Sequence, residues 1–255
     1  MALFLTPGTL AVWRRNFLVW KKLALPSILG NLADPMIYMF GLGYGLGGLV
    51  PQVAGVSYIT FLAAGTVCAS TMNSATFEAL YSAFSRMHVQ KTWEAILIAP
   101  VALEEVVLAE ILWAASKSLL SGCAILVVVA ALGLSHSPLM LWLVPLVFLV
   151  GLAFGALGMI VTLLATSYDF FMYYFTLFIT PMILLSGVFF PVSQLPPAVQ
   201  LISAFLPLAH GVALARPLML GVVPGDILLH LGALCAYALI GYRVSLRLAQ
   251  RRLLK

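Results

Sequence analysis

Residues 139–166 read LMLWLVPLVFLVGLAFGALGMIVTLLAT, an unbroken run without a charged side chain. A helix needs about 20 mostly apolar residues to cross the roughly 30 Å hydrocarbon core of a bilayer. The run is longer than that requirement. It therefore predicts a membrane-spanning helix.

The rest of the chain has the same character. Of its 255 residues, 63% are hydrophobic and only 8% are charged, against roughly 45–50% and about 25% in an ordinary globular domain. With 13 basic and 8 acidic side chains, the chain could not cover the surface of one or two soluble domains. We therefore predict an all-α polytopic membrane protein, with residues 1–255 forming a single transmembrane domain.

Six stretches are long and apolar enough to span the bilayer. They lie at 28–50, 57–80, 104–132, 139–166, 170–190 and 225–246. Basic residues are retained mainly in cytoplasmic loops, and eleven of the thirteen fall in such loops if the N-terminus is inside. Of the other two, Lys117 lies within the third span and Arg216 lies outside. Six spans with both termini in the cytoplasm satisfy this pattern, so the net charge of +5 reflects orientation and we expect no nucleic-acid partner.

Residues 6–26 are expected to form an amphipathic helix in the inner membrane interface. Large apolar side chains recur there at steps of three and four, at Leu10, Trp13, Phe17 and Trp20. Thr6 and Pro7 are typical of a helix start, and Pro26 of a stop. The alternative is a simple cytoplasmic extension. Because basic residues interrupt this stretch and no small-residue cleavage site follows, we expect no signal peptide and a retained N-terminus.

Residues 191–224 are apolar but rich in proline. The interruptions are Pro196, Pro197, Pro207 and Pro217. They leave helical pieces of roughly ten residues, which are too short to cross a bilayer. We predict that this segment forms external re-entrant helices between spans five and six, capping the outer end of the bundle.

Motifs for nucleotide binding and catalysis are missing from the sequence. Gly43, Gly45 and Gly48 match GxGxxG, but they close a membrane span and do not link a strand to a helix. Neither a P-loop nor HExxH nor GxSxG occurs, and the His and Cys residues are scattered. We therefore expect no enzyme activity, metal or cofactor in this chain. Gly41 with Gly45, Gly43 with Gly47, and Gly151 with Gly155 have the small-xxx-small spacing that lets helices pack closely.

The inner loop at 81–103 contains a short amphipathic segment. Charged residues, among them Lys91 and Glu94, alternate there with Trp93, Ile96 and Leu97. An apolar face with an aromatic anchor and a charged rim is typical of a helix that docks into a partner's groove. The alternative is an interfacial helix that contacts only lipid.

Two parts of the chain resemble a known family. The first is a signature of nearly forty residues, formed by Ile179, Met182, Leu185, Ser186, Val188, Leu195, Pro196, Pro207-Leu-Ala-His210 and Arg216. The second is Lys91-Thr92-Trp93-Glu94, followed by Pro100 and Glu104-Glu105. Over essentially its whole length the chain resembles the permeases of type-2 ABC exporters, most closely the branch that exports nodulation factors, which are lipo-chitooligosaccharides.

The resemblance implies a homodimer in the bacterial inner membrane, bound to two copies of a separate ABC ATPase that carries ATP and magnesium. It implies that the loop around Lys91 is the coupling helix. The residues expected to couple to the ATPase are Arg86, His88, Lys91, Thr92, Trp93, Glu94, Glu104 and Glu105. Glu104 and Glu105 also begin a helix, where carboxylates complement the helix dipole, and this alone accounts for one of them. The expected external re-entrant signature is Pro207, His210 and Arg216.

The resemblance also implies an amphipathic glycan or lipo-oligosaccharide as cargo, with a hydrophobic drug or lipid as the alternative. Two other classes compete: an ion-coupled secondary transporter or channel, and a membrane enzyme. The first would show an internal repeat, and the sequence contains no convincing one. The second would need titratable groups clustered near an interface.

Ionisable residues inside a bilayer cost about 2.5–3.5 kcal/mol each, so each needs a reason. If the third span begins near Glu104, the helix rise of about 1.5 Å per residue places Lys117 about 20 Å inward. We expect Lys117 to face the bundle interior and to pair with an acidic side chain or a polar lining. Candidate charge partners are Asp34, Glu78 and Glu110. Lys117 is either a structural ion-pair partner or a contact for the passing substrate.

The fifth span begins with a cluster of aromatic residues. Tyr173, Tyr174 and Phe178 are candidates for the translocation path, where sugar rings stack and acyl chains slide. The alternative is an aromatic belt at the membrane interface.

Overall fold

The computed structural model describes residues 6–50 and 52–253, apart from the side chain of Asp34. Within those residues the chain forms eleven α-helices and one short β-hairpin. The helices are α1 (Pro7–Lys21), α2 (Ala24–Gly45), α3 (Tyr58–Phe77), α4 (Thr92–Leu97), α5 (Leu103–Ala131), α6 (Leu143–Leu164), α7 (Asp169–Tyr174), α8 (Thr180–Leu185), α9 (Pro197–Ser203), α10 (Pro207–Leu220) and α11 (Ile227–Leu253). The hairpin pairs β1 (Gln52–Val53) with β2 (Val56–Ser57) in antiparallel orientation.

Several helices continue through turns of other helix types. Helix α3 is extended by π-helical turns at Glu78–Ser82 and Ser85–Val89. A π-helical segment, Phe175–Ile179, joins α7 to α8, and a 3₁₀ turn at Pro138–Trp142 leads into α6. Single π turns inside α-helices are frequent at functional sites.

Helix α1 begins where the sequence predicts. The Thr6 side chain accepts a hydrogen bond from the Thr9 backbone amide at 3.3 Å, and Pro7 occupies the first turn. The predicted stop at Pro26 is wrong, because α1 ends at Lys21 and Pro26 lies in the first turn of α2. A proline is tolerated there since its missing amide would have no partner within the helix.

Three described helical segments are long and apolar enough to cross a membrane: Leu103–Ala131, Pro138–Leu164 and Ile227–Leu253. Two further pairs are bent at a short break, α1 with α2 by 82° and α9 with α10 by 88°. Counting each bent pair as one span gives up to five. The predicted span at 170–190 corresponds to a helix of 17 residues at most, and α3 carries several Ser, Thr and Asn side chains. Six spans are therefore not established by length and composition.

Helix α6 lies at the centre of the bundle and packs against α3, α5, α10 and α11. A Cβ atom added to Gly151 would overlap the Ser118 hydroxyl and lie 3.0 Å from the Ala115 Cα atom of α5. These helices can approach this closely because glycine has no side chain. By contrast, Gly45 has no described atom within 4 Å of the position of an added Cβ, so it makes no such close contact with the described residues.

The two ends of the bundle are held by different contacts. At one end Ser135 donates a hydrogen bond to the Met219 carbonyl at 2.6 Å, joining the loop after α5 to the last turns of α10. At the other end Arg252 donates to the Ala165 carbonyl at 3.0 Å, joining the end of α11 to the end of α6. The N-terminus of α5, and α4 beside it, belong to this second end.

Candidate functional site

Two buried carboxylates and two half-buried cationic side chains meet where α3 and its π-helical extension contact α5. We call Glu78, Arg86, Glu110 and Lys117 the inner charge cluster. Arg86 bridges the two carboxylates: its Nη2 atom lies 2.9 Å from Glu78 Oε1 and 2.5 Å from Glu110 Oε2. Its Nε atom also donates to Glu110 Oε1 at 3.0 Å. This two-point geometry is the arrangement in which arginine binds carboxylates most strongly.

Lys117 completes the cluster from α5. Its Nζ atom lies 2.8 Å from Glu78 Oε2. Two indole N–H groups supply the remaining donors, from Trp113 to Glu78 Oε1 at 2.9 Å and from Trp93 to Glu110 Oε1 at 3.1 Å. Two carboxylates thus face two cations with every carboxylate oxygen hydrogen-bonded, which is the condition under which charges tolerate burial.

The π-helical turns help to bring these residues together. In an unbroken α-helix, residues eight apart differ in direction by about 80°. Here Glu78 and Arg86 are eight residues apart, yet the Arg86 guanidinium donates a hydrogen bond to the Glu78 carboxylate across the two π turns. Sequence reasoning names all four members of the cluster, but it gives Arg86 only as a coupling residue, on the strength of the family resemblance.

The loop at 81–103 presents a different face from the one that the sequence indicates. Trp93 is fully buried and anchors α4 to its own bundle through Glu110. The indole N–H and the apolar surface of Trp93 are used within the chain, so its part in coupling to the ATPase stays a prediction. The exposed groups include Glu94, Val89 and Ile98, the last of which is 88% exposed.

The other residues of the predicted coupling set lie around α4. Lys91 is exposed and adopts a left-handed conformation at φ 50° that starts α4, and Thr92 is half-buried. Glu105 Oε2 accepts a hydrogen bond from the Ala102 amide at 2.8 Å, which caps α5, while Glu104 is exposed. His88 is half-buried, and burial, together with the charge of Arg252, lowers its pKa.

The aromatic residues proposed for the path do not converge on one cavity. Tyr173 and Phe178 are 64% and 59% exposed on the outside of the chain. Tyr174 is half-buried against the core, with its ring 5.6 Å from that of Phe178. None of the three lines the described cavities of this chain.

A cavity of about 350 Å³ lies instead between α2, α3 and α8. We call it the uncharged cavity because none of its described lining side chains is ionised at neutral pH. Its polar lining consists of Asn31, Tyr38, Thr66, Ser70, Asn73, Ser74 and Thr180. Phe77 and Phe189 are among its apolar walls. Sequence reasoning missed this site, although Thr66, Ser70 and Asn73 recur at helical spacing in an otherwise apolar helix.

The external signature residues form internal contacts. Nδ1 of His210 lies 2.8 Å from Nδ1 of His230 on α11. Arg216 donates to the Gly187 carbonyl at 2.5 Å and its guanidinium lies 3.7 Å above the ring of Phe61. Pro207 is buried at the start of α10. Asp34 belongs to α2, and its side chain lies outside the described part of the structure.

Comparison with known proteins places these features in a family. The model of the ABC-2 type transporter family matches residues 8–220. Nodulation protein J of Rhizobium leguminosarum bv. viciae is 54% identical over 246 residues, covering 96% of this chain and 95% of that protein. Nodulation protein J of Rhizobium meliloti (strain 1021) is 54% identical over 245 residues, covering 96% and 94%.

A more distant relative is the inner membrane transport permease YadH of Escherichia coli (strain K12), 22% identical over 245 residues, covering 94% of each chain. The resemblance inferred from the signature residues is thus confirmed by a family match and by relatives that span nearly the whole chain. Together with its long apolar helices, this makes the chain an integral protein of the bacterial inner membrane. The chain belongs to the ABC-2 type transporter family and is a permease of that family.

Proposed function

We propose that this permease exports an amphipathic lipo-oligosaccharide across the bacterial inner membrane, driven by ATP hydrolysis on a separate ABC ATPase. The cargo assignment rests on the resemblance to the nodulation-factor branch and on relatives named nodulation proteins. The observation that carries it within the chain is the chemistry of the uncharged cavity.

The described lining of the uncharged cavity suits a sugar. Hydroxyl and amide groups on Ser70, Asn73 and Thr180 can exchange hydrogen bonds with sugar hydroxyls, and aromatic rings such as Phe77 offer stacking surfaces. Ser74 is only 4% exposed, and its hydroxyl has no hydrogen-bond partner among the described groups. A buried hydroxyl of this kind is stabilised when a ligand supplies its partner.

We further propose six spans with both termini in the cytoplasm, a homodimer of this chain, and two ATPase subunits that bind ATP and magnesium. The distribution of basic residues supports the orientation. The exposed groups beside α4, Glu94 and Ile98, are the proposed contact with the ATPase. Movement of α4 would reach α5 through the hydrogen bond from Trp93 to Glu110, and α3 through Arg86. In this way closure of the ATPase would favour one arrangement of the spans over another.

A hydrophobic drug or lipid is the second candidate cargo, and a separate cavity favours it. This cavity, of about 450 Å³, lies between α6, α10 and α11. Its walls include Trp142, Leu146, Leu218 and Leu231, and every described lining residue is apolar. It would hold an acyl chain or an apolar drug, and its described lining offers no hydroxyl or amide side chain to a sugar.

The test is ATP-dependent uptake of a lipo-chitooligosaccharide into inside-out vesicles that contain the permease and its ATPase. We expect Asn73→Leu to reduce uptake by about tenfold, since it removes two hydrogen-bonding groups from the cavity. Gln194→Leu is the matched control, because Gln194 is exposed and lies outside the cavity. Unchanged uptake in Asn73→Leu, with loss in Leu218→Asn, would assign the cargo to the apolar cavity. Uptake without ATP or without the ATPase would overturn the proposed function.

A further inference from the structure

A third cavity, of about 420 Å³, lies between α1, the end of α3 and α5. The charged side chains that line it are Arg15, Glu78, Arg86 and Lys117. Glu78 is matched by Arg86 and Lys117, and Arg86 is also matched by Glu110. Arg15 makes no ion pair within the described residues, so this inner cavity carries one uncompensated positive charge.

The neighbour of Arg15 has an unused donor. Arg15 Nη1 donates to Asn16 Oδ1 at 2.9 Å, which fixes the Asn16 side chain. Asn16 is only 3% exposed, lines the cavity, and its Nδ2 group has no acceptor among the described groups. A buried N–H group without an acceptor costs free energy, and such groups in native structures call for a partner. The missing partner must be an acceptor.

The free donors of Arg15 and the amide of Asn16 fit a phosphate group best. Arginine has five N–H donors in a planar fork that matches the oxygens of a phosphate, and only one is engaged in the described structure. Burial, together with the nearby charge of Arg86, lowers the pKa of Arg15, although the charge of Glu110 opposes the shift. A phosphate oxygen would satisfy both residues at once.

The mouth of the inner cavity indicates the source of the phosphate. Val19 and Leu23 line the cavity and are 55% and 64% exposed, and the indole of Trp20 lies between them in the chain. Exposed apolar groups beside an arginine on an interfacial helix are suited to acyl chains next to a headgroup. A free phosphate ion would not need an apolar mouth.

We propose that the inner cavity binds the phosphate of an anionic phospholipid from the inner leaflet, held by Arg15 and Asn16. The lipid would fill the space between α1 and the inner charge cluster and so tie the interfacial helix to α3 and α5. The proposal concerns the permease alone and does not depend on the cargo or on the ATPase.

The test is native mass spectrometry of the purified, delipidated permease titrated with phosphatidylglycerol or phosphatidylcholine. We expect one tightly bound phosphatidylglycerol per chain, with affinity about tenfold lower in Arg15→Gln, which loses a charged donor. Arg14→Gln is the matched control, because Arg14 has the same charge, is exposed, and does not line the cavity. Asn16→Asp places a carboxylate beside Arg15 and is expected to abolish tight binding of phosphatidylglycerol. It is the second test variant if Arg15→Gln fails to fold.

Three results would overturn the proposal. The first is equal binding of phosphatidylglycerol by the wild-type protein and by Arg15→Gln or Asn16→Asp. The second is equal affinity for phosphatidylglycerol and phosphatidylcholine, which would remove the requirement for an anionic lipid. The third is displacement of the lipid by millimolar inorganic phosphate, since this would identify a free-phosphate site. Because no ATPase or cargo is present, failure of the proposed export function would leave these measurements unaffected.

Discussion

Arg86 is the residue on which the inner charge cluster depends. Burial alone would lower its pKa, but the charges of Glu110 and Glu78 overcome this and raise it, so the guanidinium stays charged. We expect Arg86→Ala to destabilise the protein by about 3–5 kcal/mol, because Glu110 then keeps only an indole donor. The measurement is thermal unfolding of the purified permease in lipid nanodiscs, with Arg14→Ala as the exposed control.

The double variant Arg86→Ala/Glu110→Gln separates charge from packing. Removing the carboxylate together with its partner leaves no unpaired anion on α5, so stability should recover in part relative to Arg86→Ala. If both variants unfold at the same temperature, the loss comes from the missing arginine stem and the electrostatic account is wrong.

Lys117 has a smaller expected effect. In Lys117→Met, Glu78 still contacts Arg86 and the indole of Trp113. We therefore expect a clear but smaller drop in unfolding temperature than for Arg86→Ala. Lys117 does not line the uncharged cavity, so uptake per folded permease should persist. A loss of uptake at unchanged stability would instead support substrate contact, and no change in either quantity would refute both roles.

At the scale of the element, α4 and the residue that follows it give two variants with opposite expected effects. Trp93→Ala removes a fully buried ring and its hydrogen bond to Glu110, and should cost about 3–5 kcal/mol of stability. Ile98→Asp, at a position 88% exposed, should leave unfolding unchanged but reduce copurification of the ATPase and its stimulated ATP turnover. Normal ATPase binding by Ile98→Asp would show that the contact lies elsewhere on the inner surface.

The sequence could predict which segments are helical, because apolar run length and proline placement act locally. The long apolar runs and the cap at Thr6 correspond to described helices. It could not predict the rotation of each helix about its axis, which depends on packing with the others and on the π turns of α3. For that reason sequence patterns predict neither the burial of Trp93 nor the lining of the uncharged cavity.

At the scale of the whole molecule, the fold has two distinct ends separated by α5. This helix has 29 residues and is therefore about 43 Å long, enough to cross the bilayer. The hydrogen bond from Ser135 to Met219 places the loop after α5 beside the end of α10. The loop that contains α4 lies at the other end of α5. The proposed orientation puts the loop after α5 and the end of α10 outside, and the loop that contains α4 inside.

Single-cysteine labelling tests this orientation. In a variant with the native cysteines replaced, one cysteine is introduced at Glu94, His136 or Val223, all exposed in the chain. A membrane-impermeant maleimide should label His136→Cys and Val223→Cys in spheroplasts and Glu94→Cys only in inside-out vesicles, because α5 separates the two groups. Labelling of Glu94→Cys and His136→Cys from the same side would mean that α5 does not cross, and six spans would be excluded. Opposite labelling of His136→Cys and Val223→Cys would contradict the contact between the two outer loops, since loops joined at Ser135 and Met219 must share one side of the membrane.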